Sequence, residues 1–233
     1  SILEKGSYYI DHEESHPRHA AIVYSGGDDL FIVGAWNDVI ELAVDIKDSL
    51  KAYTENTLTI SGGIGLYTST YPISVIADEV AEMEDKSKGH EGKNSITLFE
   101  DGKDHKEGEE DHISDGTYTW GDFTERVIKE KYAVLDQSFG KSMNGDKSDT
   151  ERGKAFLYHL LELIRKRKEG INFARFVYLL ARMEPNSKAT IAEKEAYKEF
   201  SDHMYKWYQN EKDCRELKTA INIFVYSLRE SEE

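Results

Sequence analysis

Cysteine is nearly absent from this chain of 233 residues, where Cys214 stands alone. One thiol closes no internal disulfide and builds no multi-cysteine zinc site, a composition suited to a reducing compartment. Long apolar runs are missing as well. No stretch approaches the roughly 18 apolar residues of a membrane span, and no signal segment is visible, so the chain reads as cytoplasmic and without a membrane partner. Basic charge is scarce: 30 Lys and Arg face 45 Asp and Glu, a formal net charge of -15. Binding that grips a phosphate backbone without regard to sequence runs on Lys and Arg, so the bulk surface is unsuited to it. What is present is the make-up of a globular protein, with 39% hydrophobic and 32% charged residues. At roughly 100 to 200 residues per domain, the length allows one large or two small domains.

The first half reads as strands with interleaved helices. Ala20-Ala21-Ile22-Val23-Tyr24 and Leu30-Phe31-Ile32-Val33 are short β-branched runs around the turn Ser25-Gly26-Gly27-Asp28-Asp29. They predict a β-hairpin with both strands buried. Asn37 or Asp38 can cap a helix whose apolar residues recur at helical spacing to about Tyr53. A strand is expected over Thr57 to Tyr67, and the glycines inside it suggest close approach of another backbone or a ligand. Pro72 opens a helix to about Lys88, and Ser95 to Phe99 is a last short strand. Residues 100–116 carry eight acids, two lysines and three glycines, which cannot form a core and read as an acidic linker. Beyond it only helical patterns occur. They are marked by Phe123 to Leu135, by Phe156 to Ile164, by Phe173 to Leu180 with Asn172 as cap, by Phe200 to Tyr208 and by Leu217 to Leu228.

The turn from Ser25 to Asp29 holds the most chemistry. Its two glycines allow positive φ and leave bare backbone for a nucleotide phosphate or base. Its adjacent carboxylates are hard oxygen ligands suited to magnesium or manganese. Such metals can activate a 3′-hydroxyl and stabilise a leaving pyrophosphate. A solvated Gly-Gly turn is the plain alternative, since short turn motifs arise by chance.

Context adds to the turn. Tyr24-Ser25-Gly26-Gly27-Asp28-Asp29-Leu30-Phe31-Ile32-Val33-Gly34, Ser61-Gly62-Gly63-Ile64-Gly65 and the stretch from Lys88 to Phe99 resemble the second palm domain of the large subunit of type III (Csm-type) CRISPR effector complexes, a relative of the GGDEF cyclases. Tyr118 to Phe123, Gly153 to Leu161 and Ile171 to Arg182 resemble that subunit's C-terminal helical domain. The resemblance implies an α+β fold: a ferredoxin-like palm of the GGDEF/polymerase type over residues 1–99, the linker 100–116, and an all-helical bundle over 117–233. It implies metal-dependent 3′-5′ nucleotidyl transfer that makes cyclic oligoadenylate from ATP when target RNA is bound. Asp28 and Asp29 would then hold Mg2+ or Mn2+, Ser25, Gly26 and Gly27 would contact the nucleotide, and Lys88, with Lys86 as the alternative, would reach the triphosphate.

The departures matter too. The palm of this family begins with a strand carrying another metal-binding aspartate, and nothing before Ala20 matches it. No His is followed by Asp, so the family's HD nuclease motif is absent. The chain is therefore expected to be the C-terminal part of a longer protein or one partner of a split one. Its partners would be the N-terminal palm and HD domains, the other subunits of the complex, and guide and target RNA reached through that complex. Alone it is expected to have little activity. Two rival readings are an architectural ribonucleoprotein subunit with a vestigial palm, and a GGDEF-type cyclase using GTP. The intact turn speaks against the first; the helical second half, and Asp29 where Glu is usual, speak against the second.

Remaining candidates have structural readings. His12, His16 and His19 with Asp11, Glu13 and Glu14 read as a solvated loop rather than a metal site, as do His105 and His112 among the linker acids. Arg165-Lys166-Arg167-Lys168 reads as a helix end favoured by the macrodipole, with RNA or subunit contact as the alternative. Trp120 and Trp207 read as core.

Overall fold

The computed structural model describes Gly6, Tyr9, Ile10 and residues 16–99, 116–140 and 147–230. Described residues up to Phe99 form one compact unit together with Gly116–Ile128, and those from Lys129 onward form a second. The acidic stretch 100–115 lies outside the described residues.

In the first unit, β1 (Ala20–Gly26) and β2 (Asp29–Gly34) pair antiparallel as a hairpin. The register slips by one residue between Ile22 and Tyr24, which makes Val23 a bulge. The expectation that both strands are buried is corrected. Ile22, Val23 and Tyr24 are each more than half exposed, and Leu30 and Val33 are exposed as well. The physical reason lies in the sheet: β1 and β2 form a two-stranded ladder of their own, so two apolar runs lack the covering layers that a continuous run implies.

Helix α1 (Trp36–Tyr53) follows with Ala35 as N-cap and no side-chain cap bond, so neither Asn37 nor Asp38 caps it. Ile40 and Val44, one turn apart, are buried on one face and Leu42 is buried on the opposite one. The strand expected over Thr57 to Tyr67 shrinks to β3 (Gly62–Ile64), the only part with a ladder partner. Helix α2 (Ile73–Gly89) starts after Pro72 as expected and packs on β3 and β4. Strand β4 (Ser95–Leu98) is buried along its whole length and runs parallel to β3.

A further strand, β5 (Thr117–Thr119), pairs antiparallel with β4. The sequence pattern assigned these residues to the helical half, whereas their hydrogen bonds tie them to the first unit. Trp120 is buried as expected, and its indole N–H donates to the Ile60 carbonyl at 2.8 Å.

From Asp122 to Tyr132 and again from Asp136 to Gly140 the chain winds as a π-helix, joined by one α-turn at Ala133–Leu135. Phe123, Val127, Ile128, Tyr132, Leu135 and Phe139 are all buried. Phe123 and Ile128, and Val127 and Tyr132, are five residues apart, the separation that the i→i+5 bonds of a π-helix span.

The second unit continues with α3 (Lys147–Arg165), α4 (Gly170–Ala181), α5 (Ile191–Tyr208) and α6 (Glu211–Glu230). Its core holds Leu157, Leu160, Phe176, Met204, Trp207 and Phe224. Phe176 stacks on Tyr208 with ring centroids 4.0 Å apart. Asn172 does not cap α4: Glu169 is the N-cap residue, and the Asn172 amide lies in the first turn, donating to the Lys166 carbonyl at 2.7 Å. A capping box that the sequence reading did not use starts α5, with Thr190 and Glu193 exchanging bonds. In the basic run Arg167 donates to the Tyr208 and Gln209 carbonyls at the end of α5, and Lys166 pairs with Glu162 at 2.6 Å. Helix ends attract cations in this way. Among the described residues no helix is long and apolar enough to cross a membrane.

Candidate functional site

The hairpin tip is built by its register. Gly26 faces Asp29 across the ladder, leaving Gly27 and Asp28 as a two-residue loop. Gly27 has φ of +64°, and Asp28 is not among the positive-φ residues. Positive φ at the first loop position alone marks a type II′ turn, which matches the right-handed twist of the strands and favours glycine first. The turn leaves Ser25, Asp28 and Asp29 exposed, so both carboxylates face solvent at the end of the two-stranded ladder.

The second part of the site is the end of α2. Lys88 sits in its last turn, with Nζ 2.8 Å from the Glu84 carboxylate one turn back. Its pKa is raised, chiefly by that hydrogen bond and then by the charges of Glu84 and Asp85, with Asp29 adding to the same effect. Lys88 therefore lies within the electrostatic reach of the hairpin tip. Lys86 shares the same last turn.

The neighbour of Lys88 is fully buried. Ser87 Oγ donates to the Gly62 carbonyl at 2.7 Å and lies 2.7 Å from Thr97 Oγ1. Thr97 Oγ1 in turn is 2.8 Å from Thr117 Oγ1, and Ser95 Oγ donates to the Ser87 carbonyl at 2.6 Å. These bonds fasten the end of α2 to β3, β4 and, through Thr97, to β5. Gly63 makes the close approach possible, since a Cβ there would stand 2.7 Å from Met83 Cβ and the Val80 carbonyl. Gly62 is different: a Cβ there would meet nothing within 4 Å. The glycines expected to admit a backbone or a ligand thus divide, Gly63 admitting the helix and Gly62 leaving open space.

The base of the hairpin is held by acids of α1. Asp38, buried, accepts from the His19 backbone N–H at 2.7 Å and lies 3.3 Å from His16 Nε2. Glu41 accepts from the N–H groups of Tyr9 and Ile10, and Asp45 pairs with buried Arg18 at 2.6 Å. His16 is thus part of an anchored segment rather than a solvated loop. His12, Asp11, Glu13, Glu14, His105 and His112 lie outside the described residues. Sequence reasoning missed this stripe, although acids at positions 38, 41 and 45 share one helical face, the signal that could have revealed it. It also missed Ser87, Thr97 and Thr117, for which only small hydroxyl residues inside apolar elements gave a sign.

Among the described residues no group of three or more His, Cys, Asp or Glu side chains could hold a metal ion. The donor set at the tip, two adjacent exposed carboxylates, fits a magnesium or manganese ion of the kind held by one or two carboxylates plus water and substrate phosphate. It is not an all-protein cage.

Comparison with known proteins gives two family matches. Residues 4–97 match the family described as Cas10/Cmr2, second palm domain, and residues 130–230 match that of the CRISPR RNA silencing complex Cmr2 subunit, second helical domain. A CRISPR system single-strand-specific deoxyribonuclease Cas10/Csm1 (subtype III-A) from Mycobacterium tuberculosis is 37% identical over 94% of this chain and 24% of its own length. Its counterpart in Enterococcus italicus is 36% identical over 91% of this chain and 24% of its own. The chain therefore spans about a quarter of the length of these relatives. Among solved structures, a Csm1–Csm4 cassette in complex with one ATP superposes with a TM-score of 0.52 at 29% identity, covering 84% of this chain and 27% of that one.

Proposed function

The chain belongs to the Cas10/Csm1 family of type III-A CRISPR systems, and from that footing we propose that it carries the nucleotide site of a cyclic oligoadenylate synthase. The observation that carries the reading is the intact Ser25–Asp29 turn facing solvent with Lys88 in electrostatic reach of Asp29. The ATP named for the Csm1–Csm4 relative supports a nucleotide as substrate.

In this reading Gly26 and Gly27 let the nucleotide approach bare backbone, and Ser25 contacts it from the position of β1 just before Gly26. Lys88 exchanges its partner Glu84 for the triphosphate, an exchange that an exposed i,i+4 ion pair permits at little cost. Asp28 and Asp29 would hold a magnesium or manganese ion, which would supply positive charge against the phosphates; in the transfer the 3′-hydroxyl of one ATP gives its proton to solvent and its oxygen bonds to the α-phosphorus of another, whose bond to pyrophosphate breaks. Two ATP molecules must meet, so the second comes with another palm domain, and the polypeptide alone is nearly inactive. The working assembly is the type III complex, with a Csm4-like subunit and RNA as partners. Single-strand-specific DNA cleavage, named for the relatives, is assigned to no residue of this chain.

The test is product formation from radiolabelled ATP and manganese by the assembled complex with target RNA, beside an Asp28→Ala/Asp29→Ala variant. Cyclic product from the first and none from the second is expected; equal product from both overturns the assignment.

A further inference from the structure

Resting on the reading that Lys88 meets the triphosphate, we propose that Ser87 is its positioning residue: the buried Ser87 hydroxyl pins the last turn of α2 to Gly62 of β3 and Thr97 of β4, and so fixes where the Lys88 ammonium stands relative to the hairpin tip. Three observations carry this. First, Lys88 belongs to the final turn of its helix, one residue before its end at Gly89, so no further helical turn lies beyond it to fix its place. Second, the Lys88 side chain is 47% exposed and its ion pair with Glu84 is a surface pair, too weak to hold the ammonium in one place. Third, residue 87 is held at both ends, its hydroxyl by Gly62 and Thr97 and its carbonyl by Ser95 Oγ. A lysine that must find a phosphate from the last turn of a helix gains its fixed origin from the residue before it. Ser87 touches no substrate in this scheme; it acts through Lys88.

A double-mutant cycle on the assembled complex tests this. The ATP dependence of cyclic product formation is measured for the wild type, Ser87→Ala, Lys88→Ala and the double variant, with thermal melting recorded for each. Ser87→Ala is expected to raise KM for ATP about fivefold with kcat less affected, the scale of one lost buried hydrogen bond. In the Lys88→Ala background the same change is expected to have no further effect on KM. An equal KM increase in both backgrounds overturns the positioning role, since a purely structural defect persists without the lysine. If Ser87→Ala does not fold, Thr97→Val, which keeps the shape and removes one partner of Ser87, goes through the same cycle with the same criterion. Failure of the parent reading looks different: a wild-type complex that makes no product, or a Lys88→Ala variant with unchanged KM.

Discussion

The hydroxyl oxygens of Ser87 and Thr97 lie 2.7 Å apart, and the direction of the bond between them is fixed by their other partners. Each hydroxyl has one proton. Ser87 spends its proton on the Gly62 carbonyl, so Thr97 donates to Ser87, and Thr117 must then donate to Thr97. Protons therefore point along one line from β5 through β4 and α2 to β3. Replacing Thr97 by valine removes the middle of this line and is expected to cost about 1 kcal/mol of stability, read as a lower denaturant midpoint.

The two glycines of β3 should respond oppositely. Gly63→Ala puts a Cβ 2.8 Å from the Glu84 nitrogen and as near to Met83 and Val80, and is expected to destabilise by about 1 to 3 kcal/mol in a urea titration. Gly62→Ala meets nothing within 4 Å and should leave the urea midpoint almost unchanged.

Asp28→Ala/Asp29→Ala removes two exposed side chains, so its unfolding free energy should stay within about 0.5 kcal/mol of the wild type per substitution, as is usual at surfaces, read by chemical denaturation. Calorimetric titration of the same variant with ATP and magnesium is expected to lose the binding heat that the wild type gives. A purely architectural palm would give no heat in either case.

Buried Lys131 pairs with Glu216 at 2.7 Å and Asp213 at 3.0 Å and lies over the Trp207 ring. Lys131→Met leaves buried Glu216 without its nearest cation, Lys212 standing 4.0 Å away, and should cost about 3 to 5 kcal/mol. Adding Glu216→Gln should recover part of the loss, both effects being read by chemical denaturation.

Cys214 donates to the Trp207 carbonyl at 3.4 Å, and burial pushes its pKa up to about 12 from an ordinary value near 9. The folded state then keeps a proton that the unfolded chain releases. Its contribution is fully present below pH 9 and is lost as pH rises toward 12, at about 1.4 kcal/mol per unit. Stability measured against pH should fall across that window in the wild type, and less steeply in Cys214→Ala. The native thiol should resist alkylation at pH 8.

Local chemistry was legible in the sequence where neighbours decide the outcome. The turn at Gly27 and the start of α2 after Pro72 follow from residues within a few positions of each other. Burial of the hairpin was not legible, because an apolar run such as Ala20 to Tyr24 says what a strand could cover and not whether a layer covers it. Strand β5 escaped notice because three residues carry too short a pattern beside an acidic stretch. Asp38 was read as a cap from its place in the first turn of α1; its service to His16 and His19 depends on where the chain before the hairpin runs. Ser87 lies ten positions from Thr97, and a hydroxyl gives no periodic signal.

The way the hairpin is held gives its tip a mechanical character. At its root the Ala35 N–H donates to the His19 carbonyl and Asp38 grips the His19 N–H, while the other end is a bare turn. A ribbon clamped at one end deflects most at the other, so thermal bending concentrates at the carboxylate pair. A nucleotide bridging that free end to the anchored terminus of α2 would turn a cantilever into a beam supported at both ends, and part of its binding free energy would be spent in stilling the ribbon.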